Sequence, residues 1–263
     1  MGTEESVAAH YGRGNVEKQL LDIVEAGGGN PEAFAPAKLH GADQLHVGGA
    51  DATTRVATRA GISHATRVLD LGSGMGGVAR HLAQEFGATV HGVDLTPEFV
   101  AAARSITERT GLSGQVTFSA GSILALPFGD SDFDAAIMVH VGMNIQDKDK
   151  VFAETARVLR PGGVLAVYDI MLMGGDVEQY PLPWAATAAT SFLQPPLAYT
   201  DALAQAGFLV DQEAKPLAEG IAFLENALAS GGPLGVEAPA LTNLLAAFRS
   251  GLLAPVEIYA RLL

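Results

Sequence analysis

Apolar and polar positions along this 263-residue chain follow two rhythms. From Arg67 onward, short apolar runs of strand length are followed by stretches with helical spacing, the alternation expected of a doubly wound α/β sheet. Strands are predicted near 67–71, 89–93, 116–119, 134–139, 163–169 and 207–211. Pro255-Val256-Glu257-Ile258-Tyr259-Ala260 reads as a closing strand. Helices are predicted over 76–86, 97–110, 147–159 and 199–206, with further helical signals at 217–229 and 238–249. Ahead of the sheet, residues 16–26 repeat apolar positions at helical spacing and end at Gly27-Gly28-Gly29, and a second helix is expected at 51–60. Residues 1–60 thus read as a helical N-terminal cover.

The rhythm breaks between 171 and 196, where Gly174-Gly175, Pro181, Pro183, Trp184 and Pro195-Pro196 are concentrated. This stretch reads as an irregular insertion with a short Ala-rich helix, placed as a substrate-side lid. No repeat or long linker divides the chain, so residues 1–263 are expected to form one domain with a core at 65–211. A formal net charge of −13 disfavours a nucleic-acid substrate. The absence of cysteine removes disulfides and thiol chemistry. No apolar run reaches membrane-spanning length, and the acidic opening Met1-Gly2-Thr3-Glu4-Glu5 is unlike a secretory signal, so a cytoplasmic protein without membrane association is expected.

The chemistry concentrates in Val68-Leu69-Asp70-Leu71-Gly72-Ser73-Gly74-Met75-Gly76-Gly77. An apolar strand runs through an acidic residue into a glycine-rich turn and then a helix N-terminus, the arrangement of a nucleotide site. Gly72, Gly74 and Gly77 also satisfy the dinucleotide fingerprint, which leaves a nicotinamide-dependent oxidoreductase as an alternative. The second strand ends at Asp94, placed to accept hydrogen bonds from both hydroxyls of a ribose. Leu95 follows as an apolar edge for a base, and Thr96-Pro97-Glu98 reads as a cap, a first-turn proline and an acidic first turn.

Together with FSAGSILALPFGDSDFDAAIMVHV at 118–141 and RVLRPGGVLAVYDI at 157–170, these segments resemble the class I S-adenosylmethionine-dependent methyltransferases over residues 65–211. The resemblance implies a Rossmann-like, mostly parallel seven-stranded sheet, with S-adenosylmethionine as cofactor and S-adenosylhomocysteine as product. It implies that Asp70 belongs to the cofactor site, orienting the glycine turn and reaching the methionine ammonium through water, that Gly72, Ser73 and Gly74 lie along the methionyl part, and that Gly121, Ser122 and Ile123 border the adenine, with Ile123 and Leu95 on its faces. Many members carry an acidic residue where this chain has Ser122. LHVGG at 45–49, HVGMNI at 140–145, DIM at 169–171 and YPLPWA at 180–185 resemble the small-molecule branch that includes the sarcosine and dimethylglycine methyltransferases. The acceptor implied is therefore a small molecule methylated at N or O, a glycine-derived amine among the options.

His140 should emerge at the carboxyl end of a central strand, where it could contact cofactor or take a proton from the acceptor. Substrate-binding candidates are Asn144, through its two-sided amide, and Tyr11 and His46 from the N-terminal cover. Trp184 joins them as a pocket wall or cation-binding face. The seven histidines show no metal-ligand spacing, and no P-loop or nucleophile elbow is present. A noncatalytic cofactor-binding scaffold is the alternative outside enzyme chemistry. The oligomeric state stays open, a homodimer included.

Overall fold

The structure, a computed structural model, describes residues 4–6, 14–39, 41–231 and 236–263. Tyr11 lies outside the described residues, as do His10 and His40. Seven strands form one sheet: β1 (Arg67–Leu71), β2 (Thr89–Asp94), β3 (Val116–Ala120), β4 (Phe133–Val139), β5 (Leu159–Leu172), β6 (Phe208–Ala214) and β7 (Leu253–Leu262). Their order is β3-β2-β1-β4-β5-β7-β6. The first five pair in parallel, whereas β7 runs antiparallel to both β5 and β6.

The strand sequences explain why the sheet is covered on both faces. Val68 packs on one side with Val90 and Ile137, while its neighbour Leu69 packs on the other with Ala136 and Leu165. This period of two, with apolar residues at both phases, is the mark of a buried parallel sheet. Helices α1 (Val16–Ala26), α2 (Gly49–Arg59), α3 (Gly77–Phe86), α4 (Pro97–Arg109), α5 (Lys148–Val158) and α6 (Pro196–Gln205) follow the predicted positions within a few residues. So do α7 (Leu217–Ala229) and α8 (Ala238–Arg249).

Three local predictions are corrected. β5 is longer than 163–169, because Leu159 pairs with Phe133 at one end and Ile170, Met171 and Leu172 pair with β7 at the other. The Ala-rich helix of the 171–196 segment is a single 3-10 turn at Ala188–Thr190. Thr96 occupies the N-cap of α4 but makes no capping bond with its side chain; its backbone N–H is instead taken by Asp94. The 171–196 segment is nevertheless ordered around its own apolar core. Leu182, Trp184 and Ala185 pack with Met143, Ile170, Leu241, Leu244 and Phe248, which joins the insertion to α8 and the end of β5.

Reversal of strand order at β1 places a crevice at the carboxyl ends of β1, β2 and β4. One rim of it, the turn Gly142–Asn144, is held from below. Buried Lys148 donates to the carbonyls of Gly142 (3.1 Å), Ile145 (2.9 Å) and Phe192 (2.9 Å), tying the turn to the insertion. Buried Asp169 accepts from Tyr199 (2.8 Å) and from the Gly142 amide. Burial pushes the Asp169 carboxyl up to about 7 and the Lys148 ammonium down to about 8. Lys148→Met keeps the length of the side chain but leaves three carbonyls without their donor. It is expected to cost about 2 kcal/mol of stability, read as a lower urea midpoint with unchanged slope.

Candidate active site

The glycine turn is built around the end of β2. The amides of Gly72 (2.8 Å) and Ser73 (3.0 Å) both donate to the carbonyl of Val93. The turn then passes through Gly72 at φ 74, Gly74 at φ 50 and Gly76 at φ 79, all in the left-handed region that favours glycine. Gly72 has a second reason to be glycine, since a Cβ there would collide with Val141. At Gly74 and Gly121 a Cβ would meet nothing within 4 Å. Both glycines line the cavity, so the protein itself leaves their approach open.

Asp94 fixes the turn from the side. One carboxylate oxygen accepts from the Gly74 amide at 2.7 Å and the other from the Thr96 amide at 2.8 Å. Each oxygen retains a further lone pair, and Asp94 lines the cavity, so it can still accept hydroxyl donors. Burial raises its pKa, while the bonds from the Thr96 and Gly74 amides act in the opposite direction.

Asp70 lies beneath the turn and is absent from the cavity wall. It accepts from the Ala79 amide in the first turn of α3, so the structure ties it to that helix end and not to the cavity in which a cofactor-binding Asp70 was expected. Burial, with the neighbouring Asp94 charge adding to it, pushes its carboxyl up to about 7. Oδ2 of Asp70 and Oγ of Ser73 are buried without partners among the described residues.

The cavity and its open mouth together hold about 970 Å³ of empty space, solvent included. Gly72, Ser73, Gly74, Asp94, Leu95, Gly121, Ser122, Ile123, His140, His46 and Asn144 all line it. The structure thus brings together most of the residues singled out in the sequence. Trp184 is not among them. Its ring is buried in the core of the 171–196 segment, and its indole N–H donates to Ser191 at 3.0 Å, so the ring packs rather than walls the cavity. The cap of α5 is likewise Asp147, accepting from the Lys150 amide at 2.9 Å, which leaves Asn144 to the cavity rim.

At the other end of the cavity stand two neutral histidines. His46 Nε2 lies 3.0 Å from the Gly49 carbonyl and 3.1 Å from the Thr53 hydroxyl. A carbonyl can only accept, so Nε2 carries the proton and Nδ1 is bare. Burial lowers the His46 pKa to about 4. His140 lies 5.9 Å from His46 and 5.0 Å from Tyr168 between ring centroids. Its backbone adopts φ 55 and donates to the Tyr168 carbonyl at 2.7 Å, a strained conformation that turns the residue out of β4. Burial, followed by the His46 charge, holds its pKa well below 6.5, and Nε2 has no partner among the described residues.

Four contributors lay outside the sequence reading. Tyr168 donates to the Val47 carbonyl at 3.1 Å and so fixes the loop that carries His46. Asp43 pairs at 2.7 Å with buried Arg80, and the same guanidinium nitrogen donates to the Met75 carbonyl at 2.6 Å. Gln44 accepts from Thr53 at 2.8 Å. Glu4 reaches the cavity from the N-terminal segment and accepts a short hydrogen bond from Ser122. For Glu4 there was no local motif to read. Asp43-Gln44 stand directly before LHVGG, the one available cue for that pair.

Comparison with known proteins agrees with this geometry. Residues 68–163, the turn through the start of β5, match the family model described as "Methyltransferase domain". That segment lies within a seven-stranded sheet of the class I methyltransferase fold. A curated relative, "Methyltransferase GfsG" of Streptomyces halstedii, is 36% identical over 132 residues, 50% of this chain and 48% of that protein. The chain therefore spans about half the length of that relative. Geranyl diphosphate C-methyltransferase of Streptomyces coelicolor A3(2) superposes with a TM-score of 0.76 at 18% identity, covering 100% of this chain and 98% of the other. A structure assigned to the sarcosine dimethylglycine methyltransferases, from Galdieria sulphuraria, gives 0.67 at 21% identity over 81% and 84%. These two likenesses establish the methyltransferase fold. The antiparallel β7 between β5 and β6 separates this methyltransferase sheet from the 3-2-1-4-5-6 order of dinucleotide-binding domains, against the nicotinamide alternative. Among the described residues, no group of His, Asp or Glu could hold a metal ion, and no helix is long and apolar enough to cross a membrane.

Proposed function

We propose that the chain is an enzyme that methylates N or O of a small, neutral acceptor with S-adenosylmethionine as donor. The observation that carries this reading is His140 Nε2, neutral through burial and without a partner among the described residues, in the same cavity as the glycine turn and Asp94. The cavity suits that cofactor on its own terms. Ser73 Oγ has no partner among the described residues, Gly74 and Gly121 leave open approaches, and Leu95 and Ile123 offer apolar surface in the cavity that Asp94 also lines. When bound, S-adenosylmethionine supplies an electrophilic methyl group on a sulfonium centre.

The residues divide the remaining work. Asp94 accepts from the ribose hydroxyls, and Leu95 and Ile123 flank the base. His140 Nε2 takes the proton of the acceptor's nucleophilic atom. His46, fixed by Gly49 and Thr53, presents its bare Nδ1 as a hydrogen-bond acceptor for the same molecule. Asn144 contributes a two-sided amide at the rim. The ordered insertion and α8 pack against Met143, next to the rim that carries Asn144.

No lysine or arginine is among the described residues lining the cavity. A carboxylate or phosphate on the acceptor would thus lack a counter-charge there, which favours a phenol, an alcohol or a neutral amine over a glycine-derived amine. A cytoplasmic setting belongs to the same proposal. The test is transfer of label from methyl-labelled S-adenosylmethionine to a panel of phenols, alcohols, secondary amines and sarcosine. Labelled neutral products are expected. Turnover of sarcosine alone would overturn the neutral-acceptor reading.

A further inference from the structure

We propose that Glu4 is the acceptor for the exocyclic amine of the cofactor's adenine, held at its post by Ser122; this rests on the S-adenosylmethionine reading above. Ser122 follows Gly121 at the end of β3 and adjoins Ile123, one apolar face of the base slot. Its hydroxyl has a single proton, and that proton is committed to Glu4, while the oxygen accepts from the Leu124 amide at 3.1 Å. The serine is therefore a bracket. The strong acceptor beside it is the Glu4 carboxylate, which has a second oxygen to offer.

The other carboxylates of the cavity wall are already engaged. Asp94 accepts from two backbone amides at the ribose end, and Asp43 is paired with Arg80. Among the described residues, Glu4 is bonded by neither a cation nor a backbone amide, only by the Ser122 hydroxyl. It lines both the cofactor cavity and the adjoining groove that contains Asn144, Ile145 and Lys148, so it sits at the boundary between them. A purine held between Leu95 and Ile123 brings its edge to this boundary. An adenine edge presents N–H donors, which a carboxylate accepts. A hypoxanthine edge presents a carbonyl oxygen at the same position, which a carboxylate repels. Glu4 thereby makes the site selective for adenosyl over inosyl nucleosides, using a residue far from the glycine turn in sequence.

The test is calorimetric titration of the full chain with S-adenosylhomocysteine and with S-inosylhomocysteine, in wild type, Glu4→Gln, Glu4→Ala and Ser122→Ala. Wild type is expected to prefer the adenosyl compound by about tenfold or more, the scale of one charge-assisted hydrogen bond. Glu4→Ala is expected to weaken S-adenosylhomocysteine by about tenfold with an unchanged melting temperature of the free protein. Glu4→Gln should narrow the preference, since its amide can donate to the inosine carbonyl, and Ser122→Ala should narrow it in part by releasing Glu4. Unchanged affinity in the Glu4 variants would overturn the inference, as would an equal loss for both nucleosides with the preference intact, which would mark Glu4 as a structural contact. Failure of the wild type to bind either nucleoside would instead remove the cofactor reading, and this inference with it.

Discussion

His140→Gln is expected to lower kcat by roughly 10²–10⁴-fold, the usual contribution of a positioned general base, while S-adenosylhomocysteine affinity changes little. Glutamine fills most of the space of the imidazole and can hydrogen-bond, yet it cannot take a proton. The wild-type nitrogen is suited to that task because burial keeps it neutral and nothing among the described residues occupies Nε2. The sign of the pH dependence follows. A lowered pKa means that the unprotonated form persists to more acidic pH than an ordinary histidine near 6.5 allows. His46, lowered to about 4, behaves alike and adds no charge to the site in that range. Accordingly, kcat/KM should stay flat as pH falls through 6.5 and decline only below it. An inflection at 6.5 would contradict the lowered pKa of His140, and a variant with nearly full kcat would show that it binds without moving a proton.

Asp94→Asn is expected to reduce S-adenosylhomocysteine affinity by about 100-fold, equivalent to roughly 2.7 kcal/mol. The carboxylate accepts the Gly74 amide at one oxygen and the Thr96 amide at the other. An asparagine of the same shape must aim its NH₂ at one of those N–H groups, a donor facing a donor, and the turn shifts away from it. The variant also loses one acceptor toward the ribose. Calorimetry should show the weaker binding, and the free protein should melt a few degrees lower. Binding within threefold of wild type would mean that Asp94 only braces the turn.

Much of this site was legible because its chemistry is local in the chain. A strand, a glycine turn and a helix N-terminus are consecutive, and Asp94 follows at the end of the next strand, so backbone geometry alone brings them to one crevice. The position of Asp70 under the turn it precedes was legible for the same reason, but its exclusion from the cavity was not. The parts that were not legible depend on distant pairing. β5 gains its last residues from β7, which arrives more than eighty residues later. Glu4 meets Ser122 across 118 positions, and no periodicity announces that contact. Trp184 was misplaced because a lone tryptophan among prolines looks like a binding wall; Ser191, Leu241 and Phe248, which make it a packing residue, belong to other turns and helices. His140 shows the opposite case. Its place at the end of β4 was readable, while the left-handed backbone and the His46 and Tyr168 rings beside it came only with the fold.

Among the described residues, no lysine or arginine lines the cavity. Lys148 is buried near this region, but its ammonium is consumed by three backbone carbonyls, so it braces the rim without offering charge to a ligand. The carboxylates of the cavity wall are engaged, Asp94 by two backbone amides, Asp43 by Arg80 and Glu4 by the Ser122 hydroxyl. What remains around His140 is imidazole, amide and aliphatic surface, a setting in which a neutral nucleophile can be desolvated at modest cost.

The most direct measurement is calorimetric titration of the purified chain with S-adenosylhomocysteine, with NADH run in parallel. Saturable one-site binding of S-adenosylhomocysteine, weakened by Asp94→Asn and absent for NADH, is the predicted result; saturable binding of NADH with none for S-adenosylhomocysteine would contradict the account.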